Sequence, residues 1–157
     1  MKLKAYDWLG FNNKAVREKF EGDLEFVCEM SVPIMTSYGP VNTPAAVYKV
    51  NKPIKEKGHK DYALLFSAGD SYYITGRTEE EMAPLWKTFG IHCKVCGDVL
   101  VSIARHHFNS CDCSNEAFLD GGSDYSRIGA ADLSQIENVS VDLRTKVITP
   151  VDVTRQE

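Results

Sequence analysis

The sequence predicts an α+β fold that is mostly antiparallel β, with two short helices and a small cysteine-rich subdomain at the C-terminal end. Three observations predict it. Short apolar segments separated by turn-forming residues recur along the chain, helical spacing of apolar residues occurs twice, and four of five cysteines fall between residues 93 and 113. We therefore expect a β-rich α+β region over residues 1–90 and a second region over 91–157 that ends in a strand pair.

The first predicted helix runs from Asn12 to Phe20. Asn12 or Asn13 can cap it, since an asparagine side-chain oxygen accepts from the free backbone N–H groups of a first helical turn. Val16 and Phe20 are four residues apart and would share one face. That face is expected to join the core.

Residues 23–50 are expected to be extended, because apolar and polar residues alternate imperfectly and prolines interrupt the run. Residues 46–50 form the next predicted strand. The clearest predicted hairpin pairs residues 62–66 with residues 72–75, and Ala68-Gly69-Asp70 supplies its turn.

The second predicted helix runs from Thr78 to Phe89. Thr78 and Glu81 have the spacing of a capping box, in which each residue bonds the other's backbone N–H. An apolar stripe at helical spacing follows, and Gly90 is expected to cap the C-terminal end. The stripe consists of Met82, Leu85, Trp86 and Phe89. Beyond Gly90, strands are predicted over 99–103, 137–143 and 146–151, the last two joined by a turn at Arg144-Thr145.

Charge is unevenly distributed along the chain. Residues 1–60 contain ten Lys and Arg against seven Asp and Glu, whereas residues 61–157 contain eight against fifteen. Because nonspecific nucleic-acid binding depends on Lys and Arg contacts to phosphates, the acidic cysteine-rich half disfavours it. The lysines between Lys49 and Lys60 can form a local basic patch, although a solvated loop is the favoured interpretation.

No segment has the roughly 18 apolar residues that a membrane helix needs. The first residues also lack the apolar core of a secretory signal. We therefore expect a cytoplasmic protein in a reducing compartment, without a membrane partner.

The cysteines predict a structural zinc site made by Cys93, Cys96, Cys111 and Cys113. Cys93 and Cys96 form a C-x-x-C pair followed by Gly97, which tolerates the positive φ that a metal-binding turn can require. Cys111-x-Cys113 would supply the other two thiolates. A Cys₄ site leaves no position for water, so its role would be structural, as in a zinc ribbon. Disulfides are disfavoured in a reducing compartment, and the C-x-x-C pair lacks the βαβ setting of a redox motif.

Histidines leave an alternative ligand set open. His92, His106 and His107 lie near the cysteines in sequence, and His106 or His107 can replace one thiolate. Cys28, the remaining cysteine, is interpreted as a buried apolar side chain.

Residues 120–127 read DGGSDYSR and allow two interpretations. Asp120 and Asp124 can orient a metal-bound histidine or bind a second cation, while Tyr125 and Arg127 contact a ligand. The favoured interpretation is a tight Gly-Gly turn in which Asp120 accepts backbone N–H bonds and Tyr125 packs.

Residues 90–130 resemble a domain of unknown function common in bacteriophage-encoded proteins. The resemblance is carried by Cys93-Lys94-Val95-Cys96-Gly97-Asp98, Arg105-His106-His107-Phe108, Cys111-Asp112-Cys113 and the DGGSDYSR segment. His107 stands where that family usually has aspartate, and Ser114 where it usually has glycine. The resemblance implies a phage accessory protein with a zinc-ribbon-like module in the host cytoplasm, and it transfers no activity.

Three functions are consistent with these observations. The favoured one is a nonenzymatic protein that binds a host protein and interferes with host defence or transcription. A metal-dependent hydrolase or nuclease is an alternative, in which the three histidines with Asp120 and Asp124 supply ligands and general bases. A nucleic-acid-binding zinc ribbon that uses the lysines of residues 49–60 is the other.

Overall fold

The structure is a computed structural model, and the residues that it describes are 1–6, 8–9, 23–52, 61–68, 71–104, 107–121 and 126–151. The chain divides into two compact units. One, the hairpin unit, comprises Asp7–Leu85, and the other, the cysteine unit, comprises Met1–Tyr6 together with Trp86–Glu157. The division predicted at residue 90 stays a prediction.

In the described residues, strands follow in the order β1 (Lys2–Leu3), β2 (Asp23–Thr36), β3 (Gly39–Lys52), β4 (Tyr62–Ala68), β5 (Ser71–Arg77), β6 (Lys87–Cys93), β7 (Asp98–Val101), β8 (Asn109–Ser110), β9 (Phe118–Gly121), β10 (Ser126–Gly129), β11 (Ile136–Asp142) and β12 (Ile148–Pro150). The α-helix α1 spans Glu79–Met82, and 3₁₀ turns span Ala83–Leu85 and Leu133–Gln135. No described helix has the length and apolar character needed to cross a membrane.

The predicted α+β class with two short helices is wrong, because the described residues are mostly β, with 61% in strands and 8% in helices. The capping box forms as predicted: Glu81 N donates to Thr78 Oγ1 and Thr78 N donates to the Glu81 carboxylate. The helix nevertheless ends at Met82. Pro84 lacks the backbone donor that a continuing helix needs, so the chain passes through a 3₁₀ turn into β6. The predicted helix Asn12–Phe20 lies outside the described residues.

The hairpin unit contains an antiparallel sheet in the order β2-β3-β4-β5. The predicted hairpin is present as β4 and β5, with Leu64 opposite Thr75. Ala46, Tyr48 and Leu65 form a buried cluster on one face, because alternate residues of β3 point to the same side. β3 pairs with β4 only over Ala46–Lys49, so the β2–β3 ribbon continues past β4 toward its turn at residues 37–38.

The described residues of the cysteine unit form two sheets. A five-stranded sheet has the order β1-β7-β6-β11-β12, in which only β1 and β7 are parallel, and a three-stranded antiparallel sheet has the order β10-β9-β8. The strands predicted over 137–143 and 146–151 correspond to β11 and β12. Their turn is closed by Asp142, whose side chain accepts from the backbone N–H groups of Arg144 and Thr145.

Gly90 lies in the middle of β6, opposite Val101 on one side and Val139 on the other, so its predicted role as a helix cap is wrong. A Cβ added there would lie 2.8 Å from the carbonyl oxygen of Leu100 and 3.3 Å from a methyl of Val141. The close approach of backbone and side chains therefore requires glycine.

We expect Gly90→Ala to destabilise the protein by about 1–3 kcal/mol, because the added methyl has no room against backbone. Urea unfolding measures the change. Lys87→Ala, an exposed position on the same strand, is the control and should change stability by less than about 0.5 kcal/mol. Equal stability of the Gly90 variant and the parent would contradict this packing.

Candidate metal centre

Two turns of the cysteine unit bring four cysteines together. Cys93 ends β6 and Cys96 lies in the turn to β7, while Cys111 and Cys113 follow β8. The four Sγ atoms all lie within 4.8 Å of one another. The structure thus brings together all four residues that the sequence predicts as ligands.

The first turn is closed around the Cys93 sulfur. Gly97 N donates to the Cys93 carbonyl at 2.8 Å, and Gly97 has φ +85°. Backbone N–H groups of Val95 and Cys96 donate to the Cys93 thiol. The positive φ anticipated for Gly97 is therefore present, and the turn directs two amide dipoles at one sulfur.

The second turn reaches a similar arrangement with different residues. Asn115 N lies 3.4 Å from Cys113 Sγ, and Glu116 N donates to the Cys113 carbonyl at 3.1 Å. Glu116, not Ser114, has the positive φ, 51°. The serine at position 114 is consequently compatible with this turn, since the left-handed residue comes two positions later.

The sulfur separations match a tetrahedral tetrathiolate site. Cys113 Sγ lies 3.6 Å from Cys93 Sγ and 3.4 Å from Cys111 Sγ. Metal–sulfur bonds of about 2.3 Å in a tetrahedron place sulfurs about 3.8 Å apart. All four cysteines are free thiols rather than disulfides. The centre can therefore accept one metal ion with little movement of its ligands.

The thiols differ in acidity. Burial alone would raise the pKa of Cys93, but donors from Cys96, Val95, Cys113 and Asn115 outweigh burial and lower it to about 6. Desolvation, together with hydrogen bonding to the other three sulfurs, raises the pKa of Cys96 to about 12, although a backbone hydrogen bond from Asp98 acts in the opposite direction. Burial also raises the pKa of Cys111. One thiolate thus forms readily, whereas further ionisation calls for a nearby cation.

The centre rests on an apolar base. Cys93 and Cys111 are part of a buried cluster that also includes Ile91, Leu100 and Leu119, with Ile136 packed against it. Cys96 is exposed at the outer side. Strands β6, β7 and β9 therefore fix the inner two sulfurs through their core packing.

Asn115 is a site residue that the sequence interpretation missed. It is buried, with Oδ1 accepting from Asp132 N at 2.7 Å and Nδ2 donating to the Asp132 carbonyl at 3.3 Å. Nδ2 also lies 3.8 Å from Cys93 Sγ, and the Asn115 carbonyl accepts from Ala131 N. Asn115 therefore ties both cysteine turns to the segment around Ala131 and Asp132. A lone asparagine two residues after a cysteine carries no periodic signal that could have identified it.

Lys4 is a second residue that was missed. Its Nζ donates to the carbonyl of Ser110 and lies 3.6 Å from an Asp112 carboxylate oxygen. The parallel pairing of β1 with β7 places this lysine beside the Cys111–Cys113 turn. It contributes positive charge near sulfurs that must ionise to bind a metal.

The described histidines do not join the sulfur group. His92 Nδ1 lies 3.0 Å from Glu137 Oε1 on the neighbouring strand. His107 is buried, its Nδ1 accepts from Ile103 N at 3.1 Å, and burial lowers its pKa. His106 lies outside the described residues, and Cys28 is buried in β2 of the hairpin unit.

The DGGSDYSR segment is only partly described. Asp120 Oδ2 accepts from Arg127 Nη2 at 2.6 Å across β9 and β10. This ion pair differs from the turn bonds expected for Asp120. Asp124 and Tyr125 lie outside the described residues.

We expect Asn115→Ala to destabilise the protein by about 1–3 kcal/mol, because the buried side chain would lose two hydrogen bonds to the Asp132 backbone, each contributing about 0.5–1.5 kcal/mol. Guanidinium unfolding measures the effect. Ser114→Ala, at the exposed neighbouring position, should be nearly neutral. A neutral Asn115 variant would show that this side chain does not hold the two turns together.

The comparisons with known proteins give one match. A family described as a domain of unknown function, DUF7695, matches residues 87–130. No curated protein and no solved structure matches the chain. The chain is thus similar, over the segment that contains all four cysteines of the centre, to a family whose function is unknown.

Proposed function

We propose that Cys93, Cys96, Cys111 and Cys113 bind one structural zinc ion, as in a zinc ribbon. The single observation that supports this is the convergence of four sulfurs from two turns within 4.8 Å. Thiolate-only tetrahedral sites are typical of zinc, with iron as the main rival. The ion would link the β6–β7 turn to the β8–β9 turn.

The proposed ion has a structural role rather than a catalytic one. Four thiolates fill the coordination sphere of a tetrahedral ion, whereas catalytic zinc keeps one position for water or substrate. The described residues add no histidine or carboxylate to the group. These features support a nonenzymatic protein over a metal-dependent hydrolase.

We further propose that the chain acts by binding another protein through the end of the β2–β3 ribbon. Residues 30–48 contain no charged residue. Near the turn, Tyr38 is 95% exposed and Met35 is 74% exposed, with Val41 also exposed. Tyrosine and methionine are enriched, and most charged residues depleted, in the buried centres of protein interfaces. The ribbon end therefore has the composition of a contact surface.

The resemblance of residues 90–130 to proteins encoded by bacteriophages supports a more specific proposal. The chain would be a phage accessory protein in the cytoplasm of the infected cell, and its partner would be a host protein of the defence or transcription machinery. This proposal rests on the resemblance alone.

For the zinc site, we expect the purified protein to contain one zinc per chain by elemental analysis. Cys93→Ser should lose the metal and lower the Tm by about 10 °C or more, since losing about 2 kcal/mol shifts the Tm of a 60–100-residue unit that far. Cobalt substitution should give the absorption of a tetrahedral tetrathiolate complex.

Cys28→Ala is the matched control, because Cys28 lies outside the sulfur group. It should retain one zinc per chain. Iron in place of zinc would change the identity of the ion, while a metal-free protein whose Tm is insensitive to a strong chelator would refute the site.

For the binding surface, we expect tagged protein to retain one stoichiometric protein from bacterial lysate, and a Met35→Ser/Tyr38→Ser double variant to lose it. Leu133→Ser, which removes exposed apolar surface from the cysteine unit, should keep the partner. Unchanged Tm in both variants excludes misfolding. Retention by the double variant would place the interface elsewhere.

A further inference from the structure

The three-stranded sheet of the cysteine unit has one face that the zinc proposal does not use. Leu119 of β9 points into the apolar cluster beneath the cysteines. Its neighbours Phe118 and Asp120 point to the opposite face, because side chains alternate along a strand. Asp120 pairs there with Arg127 of β10. We call this opposite face, formed by Phe108, Phe118, Asp120, Arg127 and Gly129, the aromatic face.

Two rings are stacked on the aromatic face. The centroids of Phe108 and Phe118 lie 5.2 Å apart, with the ring planes 22° from parallel. Phe118 lies across Gly129 of β10, where an added Cβ would come within 2.1 Å of the ring. Phe108 is 56% exposed. Phe118 thus packs against Gly129, and Phe108 covers the other side of the Phe118 ring and is exposed to solvent.

Beside the two stacked rings, the buried carboxylate of Asp120 forms an ion pair with the exposed guanidinium of Arg127. The Asp120 side chain is 7% exposed and that of Arg127 is 68% exposed. Asp120 Oδ1 is buried, and no donor in the described part of the chain reaches it. A buried carboxylate with one unpaired oxygen costs free energy, and an ion pair with a largely exposed arginine returns little. The charge of Asp120 also acts on the imidazole of the buried His107. On the exposed side, Asp120 orients the guanidinium of Arg127.

We propose that the aromatic face binds a nucleotide, whose base stacks on Phe108 and whose phosphate contacts Arg127. Aromatic side chains bind bases of any sequence by stacking, and the planar guanidinium matches phosphate geometry. Phe118, the ring on which Phe108 stacks, and Arg127 are offset by two residues across the β9–β10 ladder, or about 7 Å along the strand. One nucleotide can bridge that separation between its base and its phosphate. Asp120 is a positioning residue that acts through Arg127.

The same chemistry is present in single-stranded nucleic acid and in free mononucleotides. The test therefore uses two probes with the full-length, metal-loaded chain: a short fluorescent oligothymidylate, followed by anisotropy, and thymidine monophosphate, followed by NMR. Binding of the oligonucleotide alone supports a single-strand site. Binding of both probes with similar affinity supports a mononucleotide site.

We expect Phe108→Ala to weaken binding of the responding probe about tenfold, because the base would lose the aromatic ring on which it stacks. Phe108→Tyr should retain the affinity. Arg127→Gln should weaken binding and, for the oligonucleotide, lower the slope of log K against log salt by about 0.7, the value for one phosphate contact on a single strand. Leu133→Ala, at another exposed apolar position, should behave like the parent.

Asp120→Asn tests the positioning role. Alone it should weaken binding, but in an Arg127→Gln background it should have no further effect, since its contribution passes through Arg127. Zinc content and Tm report folding for each variant. The proposal is overturned if neither probe binds, or if Phe108→Ala binds as well as the parent. Loss of a protein partner by Phe108→Ala without any nucleotide binding would also overturn it and assign the face to protein recognition.

Discussion

Four sulfur atoms held within 4.8 Å by two separate turns are the constraint around which the cysteine unit is organised. Such thiols cannot all ionise without a cation, as the opposite pKa shifts of Cys93 and Cys96 indicate. The negative charges of four neighbouring thiolates repel one another, and a bound dication would compensate them by coordinating all four sulfurs. Few other contacts in so small a unit could contribute as much free energy of folding.

Packing and hydrogen bonds within the cysteine unit position the four sulfur atoms. Core packing holds Cys93 and Cys111, amide donors from each turn point at a sulfur, and Asn115 ties both turns to the segment at Asp132. The two faces of the three-stranded sheet have different roles. Leu119 packs beneath the cysteines, while Phe118 on the other face belongs to the proposed nucleotide site. A ligand on one face would therefore contact strands whose other face packs beneath the cysteines.

The sequence was most informative where chemistry depends on local spacing. The C-x-x-C-G pattern identified the first turn and the positive φ of Gly97, and the capping box at Thr78 was correct. The predicted continuation of the helix beyond Met82 was wrong for two reasons. The helical spacing of the apolar residues was given more weight than the helix-breaking Pro84, and the pairing of β6 with β11 cannot be inferred from local sequence. Asn115 and Lys4 were missed for the same reason, since their partners lie far away in sequence or across a turn.

The parallel pairing of β1 with β7 has a consequence for synthesis and folding. Lys2 is joined to Asp98 in register, although about a hundred residues separate them in the chain. During synthesis, β1 must therefore wait until β7 has emerged from the ribosome, while the hairpin unit between them can fold in the meantime. Closing so long a loop is slow and costs chain entropy. The final assembly of the cysteine unit is thus a late event, in which two segments far apart in the chain meet beside the sulfur centre.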